Sequence, residues 1–521
     1  MDIPFVIATL MRRGMLTPGR PVHVIRQLDE LRRWGYGVGG ELRASAARSP
    51  HRTAVIDESG SYTYAQLLDR AERLAAGLRG ELRIGIDQST HADRVGLLCR
   101  NHAGLIVALA ATSMLGVDAV LANTGLSPAQ LSVVAAEQNL QVLIHDTEFR
   151  EHAALLPRYI DRVDEYRVDA MVAHAPPRQV RPPAREGRPI MLTSGTTGTP
   201  KGARRPNPGG LGPLASIISR IPLCAGERAL IAAPIFHTWG YAALQMILAL
   251  RGTVVLQRRF DPRATQAALA EHDCSALFAV PVMVQRLLEA PTAVRARRLR
   301  TVAVSGSALP GGLATRFMDA FGDVLYNLYG STEASWASIA TPAELRRAPS
   351  TAGRPPHGTR VAILGDDGKP VPPGRPGTIY VANDMLFEGY TNGTRSATQG
   401  ELMSTGDLGH IDPEGLLFVD GRQDDMIISG GENVFPSEVE DLIAGLPQVL
   451  EVAVVGVPDL EFGQRLAAWI VLRRGERLDA EAVREYVRRN LARFSVPRDV
   501  RFLDALPRNA TGKVVPRLLP W

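Results

Sequence analysis

Ten residues constrain this chain more than any other stretch: Thr193-Ser194-Gly195-Thr196-Thr197-Gly198-Thr199-Pro200-Lys201-Gly202, directly after an apolar strand pattern at residues 189–192. The glycines free the backbone to wrap an anion. Five hydroxyls can donate to phosphate oxygens, and Lys201 adds a point charge. This is not a Walker A loop, which needs Gly-Lys followed by Ser or Thr. Here Pro200 precedes the lysine and Gly202 follows it. A flexible Ser/Thr/Gly connector is the bland alternative, and the density of donors argues against it. So does the lysine. Of 59 basic residues, only Lys201, Lys369 and Lys513 are lysines. In a chain that otherwise uses arginine, a lysine marks a place where arginine is a poor substitute.

The surrounding pattern predicts an α/β fold. Residues 53–57, 94–99, 117–121 and 140–145 read as strands, separated by helices at 63–78 (opened by Thr63), at 102–115 and from Pro128. Such alternation implies mostly parallel sheets covered by helices. Residues 175–188, rich in Pro and Arg, read as a linker. Strands resume at 229–233, 254–257, 276–280 and 301–305. From 360 to 387 short β-runs are broken by Asp366-Asp367-Gly368 and Pro372-Pro373-Gly374, which predicts a small β-barrel-like module. Strands at 452–457 and 467–472 and a helix at 480–491 predict a small α+β domain after Gly421. The expected organisation is a large domain over 1–421, made of α/β parts at 1–180 and 181–350 and a β-rich part at 351–421, followed by a small mobile domain over 422–521.

Several function classes fall away on composition. A net charge of +5 over 521 residues is too thin to argue for nucleic acid. Cys99, Cys224 and Cys274 are far apart, form no CxxC pair and point to a reducing compartment. No apolar run reaches the ~18 residues of a membrane span. The apolar stretch 3–11 precedes Arg12 and Arg13, the reverse of a secretory signal. A cytoplasmic location follows, or a peripheral one at the inner membrane face. Val22, Ile25, Leu28 and Leu31 recur at helical spacing opposite charged residues. They read first as a helix packed on its own domain, and second as a lipid-facing arm.

Further chemistry-bearing segments follow in order. Ala233-Pro234-Ile235-Phe236-His237-Thr238-Trp239-Gly240 comes after a strand; alone, His237 would more often be a core or loop histidine, and Trp239 reads equally as packing. Ser305-Gly306-Ser307-Ala308-Leu309 lies at a strand end, where glycine lets a flat ring approach the backbone. Tyr329-Gly330-Ser331-Thr332-Glu333 reads by itself as a helix N-cap. Ser404-Thr405-Gly406-Asp407 offers a carboxylate able to accept two hydroxyls. Gly421-Arg422-Gln423-Asp424-Asp425 and Ser429-Gly430-Gly431-Glu432-Asn433 follow. Pro507-Arg508-Asn509-Ala510-Thr511-Gly512-Lys513 closes the series.

Together, from Thr193 to Lys513, these segments resemble the adenylate-forming superfamily, and within it bacterial medium- to long-chain fatty acyl-CoA synthetases. The resemblance implies that Thr193, Ser194, Gly195, Thr196, Thr197, Gly198 and Lys201 cradle the ATP phosphates. His237 lines the carboxylate end of the acyl pocket. Gly306, Ser307 and Ala308 lie at adenine, where Tyr329 stacks, with Gly330 and Ser331 beside it. Thr332 meets the α-phosphate and Glu333 holds magnesium. Asp407 takes the ribose hydroxyls, and Arg422 contacts ribose or phosphate. Asp424 is the hinge, Gly430 and Gly431 border the pantetheine channel, and Lys513 is the catalytic lysine of adenylation. One departure stands out. After Gly202 the chain reads Ala203-Arg204-Arg205-Pro206-Asn207 in place of the family's apolar-Thr-His run.

The implied reaction is two-step. A fatty acid and ATP give acyl-adenylate and pyrophosphate; coenzyme A then displaces AMP. The chain ends at Trp521 with no carrier motif after Lys513, which reads as a free-standing enzyme, with a homodimer as the oligomeric expectation. Two alternatives stay open. One is a fatty acyl-AMP ligase loading a carrier protein, against which stands the lack of an extra segment between Gly353 and Gly421. The other is a non-catalytic nucleotide-binding homologue, against which stand Glu333 and Lys513.

Overall fold

The computed structural model describes residues 2–16, 21–86, 93–175, 180–193, 200–290, 296–422, 427–429, 432–459, 463–509 and 512–520. Helix Ala103–Leu115 shows how the sequence builds the core. Its sequence, AGLIVALAATSML, is apolar all round, and such a helix must be covered on every side. Only Gly104 and Ser113 escape full burial. His102 caps its start, Nδ1 accepting the Gly104 N–H at 3.1 Å, and Gly116 ends it in a left-handed turn at φ 70°. One buried cluster joins Leu105, Ile106 and Leu109 of this helix to Val95 and Leu97 of one sheet and to Ile231 and Val254 of another.

The first of those sheets runs Gly389–Tyr390, Lys201–Arg204, Pro189–Thr193, Asp118–Leu121, Arg94–Leu98, Val142–His145, Asp161–Asp164. The second runs Ser338–Ala340, Leu325–Tyr329, Thr301–Val304, Ala276–Ala279, Arg228–Ile231, Thr253–Val255, Thr53–Asp57, Gly60–Thr63. Their central pairings are parallel and their strands, such as Ala276–Ala279 and Thr301–Val304, are buried on both faces. The mixed α/β expectation is met. The division near residue 180 is crossed by both sheets. Thr53–Asp57 pairs with Thr253–Val255, and Pro189–Thr193 pairs with Asp118–Leu121.

Arg360–Leu364, Gly377–Ala382, Thr398–Gln399, Leu402–Ile411 and Leu417–Arg422 form an antiparallel third sheet. The Gly368 and Gly374 turns take φ of 73° and 81°, which only glycine adopts readily. A fourth sheet, carried by Val449–Asp459 and Gly463–Leu472, has its own buried clusters around Ile470 and Trp469. Both strands run longer than the sequence pattern predicts, because they pair with each other along nearly their whole length.

The N-terminal arm departs from expectation. Helix Pro21–Trp34 buries Leu31 and Trp34, but Val22, Ile25 and Leu28 are 55%, 66% and 59% exposed. A strict spacing of three drifts backward by about 60° per step, so the series turns onto the opposite side of the helix by Leu31. Only the last turn reaches the core, where Arg43 covers the Trp34 ring at 4.1 Å. No described helix is long and apolar enough to cross a membrane.

Candidate active site

The ends of both parallel sheets, the third sheet and the C-terminal segment face one cavity of about 2170 Å³. That is larger than a site for a single small ligand, typically about 300–1,000 Å³. Strands Pro189–Thr193 and Lys201–Arg204 are antiparallel, with Thr193 opposite Lys201. Ser194, Gly195, Thr196, Thr197 and Gly198 lie outside the described residues. Lys201 Nζ stands 5.8 Å from the centre of the Tyr390 ring, and the Tyr390 hydroxyl donates to Glu333 Oε1 at 2.7 Å. The lysine and the carboxylate read as phosphate- and metal-handling groups therefore share one aromatic support.

His237 precedes helix Thr238–Ala249 and tilts against Phe236, ring centres 4.5 Å apart. It is held down to a pKa of about 3, chiefly by burial and then by the charge of Lys513. It is therefore a neutral imidazole at working pH, and among the described residues its buried Nε2 has no hydrogen-bond partner. The sign of the linkage follows. The folded-state value lies below the ordinary 6.5, so the unfolded chain binds the extra proton and stability falls as pH drops from 6.5 toward 3. Urea midpoints measured across that window should decline less steeply in His237→Phe than in the wild type; equal slopes would remove His237 as a source. Next along, Thr238 Oγ1 donates to Thr332 Oγ1 at 3.1 Å. Trp239 both lines the cavity and packs, its indole N–H donating to Ala279 O at 3.1 Å and its ring lying against Phe278.

Gly306, Ser307 and Ala308 follow strand Thr301–Val304 and border the cavity, Gly306 at φ 98°. Tyr329 ends strand Leu325–Tyr329. Its hydroxyl donates to Asp407 Oδ2 at 2.5 Å and to Thr405 Oγ1 at 3.3 Å. Burial first, and then the Asp407 charge, push this phenol up, so it stays protonated as a donor. Arg422 Nε approaches the other Asp407 oxygen at 3.4 Å. The three residues assigned to adenine, ribose and phosphate are thus directly linked.

The stretch 331–335 is a turn and starts no helix, contrary to its N-cap pattern. Ser331 Oγ does accept the Ala334 N–H at 3.0 Å, but Ser335 takes φ 65° and breaks propagation. The turn folds back so closely that a Cβ on Gly330 would collide with the Ser335 carbonyl oxygen. What fixes this turn is Arg205, which the sequence pattern does not assign to the site. Its guanidinium is buried, donating to Thr332 O at 2.6 Å and Ser335 Oγ at 2.7 Å. The one signal in the sequence is the departure from the family pattern after Gly202.

Lys513 borders the same cavity from the C-terminal segment. Its backbone N–H donates to Asn509 Oδ1 at 2.9 Å, and Gly512, at φ 80°, packs so tightly that a Cβ would collide with Val282 Cγ1. Asp424, Gly430 and Gly431 lie outside the described residues. Cys99, His102 and Asp146 come together in the core, but His102 Nε2 is engaged by Asp146 at 2.8 Å and Nδ1 by the Gly104 N–H. That arrangement braces the helix start rather than offering metal ligands. The magnesium assignment fits the Glu333 surroundings. The carboxylate borders the cavity, and among the described residues only its Oε1 takes a hydrogen bond.

Residues 42–391 match the family described as AMP-binding enzyme, and residues 438–513 match the AMP-binding enzyme C-terminal domain. The chain belongs to this adenylate-forming family. It is 35% identical over 491 residues to a feruloyl-CoA synthase of Amycolatopsis, covering 92% of this chain and 97% of that protein. It is 32% identical over 503 residues to a long-chain-fatty-acid–CoA ligase of Mycobacterium tuberculosis, with the same coverage of 92% and 97%. Among solved structures, it superposes with a TM-score of 0.80 on o-succinylbenzoate CoA synthetase of Bacillus subtilis in complex with its acyl-adenylate intermediate. That match has 28% identity and covers 92% of this chain and 97% of the other.

Proposed function

We propose that this chain is an AMP-forming carboxylic acid–CoA ligase. The observation that carries the reading is the convergence of Lys201, His237, Thr332, Glu333, Asp407 and Lys513 on one cavity. In the first half-reaction a carboxylate oxygen attacks the α-phosphorus of ATP. The bond to the β-phosphate oxygen breaks, and pyrophosphate leaves. In the second, the CoA sulfur attacks the acyl carbon, AMP departs with the oxygen, and the thiol proton passes to solvent. Asp407, held by Tyr329, accepts ribose hydroxyls, and Arg422 stands beside it. Lys201 and Lys513 place positive charge where negative charge gathers at the phosphates and the attacking carboxylate. Neutral His237 borders the carboxylate end of the acid and adds no charge there. Thr332 meets the α-phosphate, and Glu333 would hold magnesium, which when bound neutralises phosphate charge.

For the acid, we propose an acyl group whose apolar body lies along Trp239, Met246, Leu214 and Ile217, all of which border the cavity. A fatty acid suits that wall, and so does an arylpropenoic acid; relatives of both kinds support the reading. The test uses ATP labelled in the adenylate, a panel of straight-chain and aryl acids, and CoA added or withheld. Acyl-CoA appearing with stoichiometric AMP supports the ligase. Adenylate that accumulates and ignores CoA would overturn the CoA step and favour transfer to a carrier protein.

The N-terminal arm supports a second contact. Val22, Ile25 and Leu28 are exposed beside Arg26, Arg32 and Arg33, as in a helix lying on an anionic membrane surface. Co-sedimentation with liposomes of mixed zwitterionic and anionic lipid should be lost in Ile25→Ser/Leu28→Ser. Sedimentation unaffected by that change would sink the membrane role.

A further inference from the structure

One part of the cavity wall carries polar groups that, among the described residues, meet no polar partner. Glu41, in helix Val38–Arg48, borders the cavity and is 6% exposed. Among the described residues its carboxyl makes no ion pair or hydrogen bond. Burial alone pushes it up to about 8, so it stands protonated at neutral pH, with one O–H to donate and a carbonyl to accept. Gln245, in helix Thr238–Ala249, borders the same cavity, and among the described residues its buried Nε2 has no partner. Tyr36 borders it too, close enough to Glu41 to feel its charge.

These groups belong to one place in the fold. Ser45, one turn beyond Glu41, donates to Leu248 O at 2.7 Å, three residues beyond Gln245, which pins the two helices together. His237 is the residue before the Gln245 helix, so the rise along the axis from His237, at the carboxylate end, to Gln245 is about 12 Å. Between them the wall is mostly apolar, with Trp239 and Ala242. Buried polar groups in folded proteins find partners in protein or ordered water, and in a binding cavity a bound molecule can take that place. A purely hydrocarbon tail would leave the Glu41 carboxyl and the Gln245 amide unmet.

We propose that Glu41, Gln245 and Tyr36 form the far end of the acyl site and select an acid carrying a neutral hydrogen-bonding group, a hydroxyl, ether or carbonyl, about 12 Å from its carboxylate. The inference rests on the ligase reading. A second carboxylate does not suit this end, because none of the three residues supplies a cation.

The test compares matched acids. One set is straight-chain acids from hexanoate to dodecanoate against their ω-hydroxy forms; the other is phenylpropanoate against its para-hydroxylated form. The wild type should prefer the hydroxylated member of the best pair by about 10- to 100-fold in kcat/KM. Glu41→Leu and Gln245→Leu should each bring that ratio close to one, with the plain acid gaining. Glu41→Gln keeps the shape and a donor, and should retain part of the preference even if the leucine variant folds poorly. Equal use of every pair, or ratios unmoved in the variants, would overturn the proposal and leave the ligase standing; that is the result expected if water alone meets these groups. No turnover with any acid would overturn the ligase reading and this one with it.

Discussion

Lys513→Ala should lower acid-dependent AMP formation by about 10²- to 10³-fold. Adenylation gathers negative charge on the attacking carboxylate and the α-phosphate together, in a cavity where charges are screened less than in water. Lys513 is exposed on the C-terminal segment, yet its backbone is held in place. Asn509 fixes it and Gly512 presses against Val282. Its charge reaches His237, and contributes to keeping that imidazole neutral. Loss of the lysine should spare the second half-reaction, so an acyl-adenylate supplied ready-made should still be converted to acyl-CoA at close to the wild-type rate. Lys513→Arg is the sharper variant. Most cationic positions in this chain are arginine, so a tolerant site would work with one. The planar guanidinium cannot replace a compact ammonium at one point of developing charge, and little rescue is expected. Full activity in Lys513→Arg would reduce the residue to a general cation.

Arg205→Leu should cost about 2–4 kcal/mol of stability and at least about tenfold in kcat/KM for ATP. The guanidinium is buried and stays charged; burial lowers its pKa only to about 10. It makes no direct ion pair with a carboxylate among the described residues. Instead it spends its hydrogen bonds on Thr332 O and Ser335 Oγ, on either side of Glu333. Leucine would leave the part-buried Thr332 carbonyl and the buried Ser335 hydroxyl without this donor, and would free the turn that positions Thr332 and Glu333. A coupled loss, in both denaturant midpoint and ATP kinetics, is the signature. Normal stability with impaired kinetics would instead make Arg205 a direct substrate contact; no change in either would remove it from the site.

Residues whose chemistry is carried by local pattern are legible in the sequence. His237, the adjacent Thr332 and Glu333, Asp407, Arg422 and Lys513 come from five segments and all border the cavity. The all-round apolarity of Ala103–Leu115 announces a buried helix, and alternating strands announce parallel sheets. Long-range pairing is not legible. Nothing near Thr53–Asp57 says that its neighbour is Thr253–Val255, about 200 residues on, because strand partners are chosen by the packed whole. Tyr329 shows the same limit on a smaller scale. Its motif predicts a ring beside adenine, but its hydroxyl is committed to Asp407, 78 residues away. Arg205 is hidden because arginine is common here and usually solvated; only burial distinguishes this one. Val22, Ile25 and Leu28 mislead through a spacing of three, which resembles a helical stripe for one turn and then rotates off it.

On the proposed function, these residues make an acyl-adenylate before any thiol takes part. Exchange of labelled pyrophosphate into ATP, with the acid present and CoA absent, tests it most directly. The exchange should require both the acid and magnesium and fall with Lys513→Ala. Acyl-CoA formed with no acid-dependent exchange would contradict the claim, since the acid would then be activated by some route other than attack on the α-phosphate.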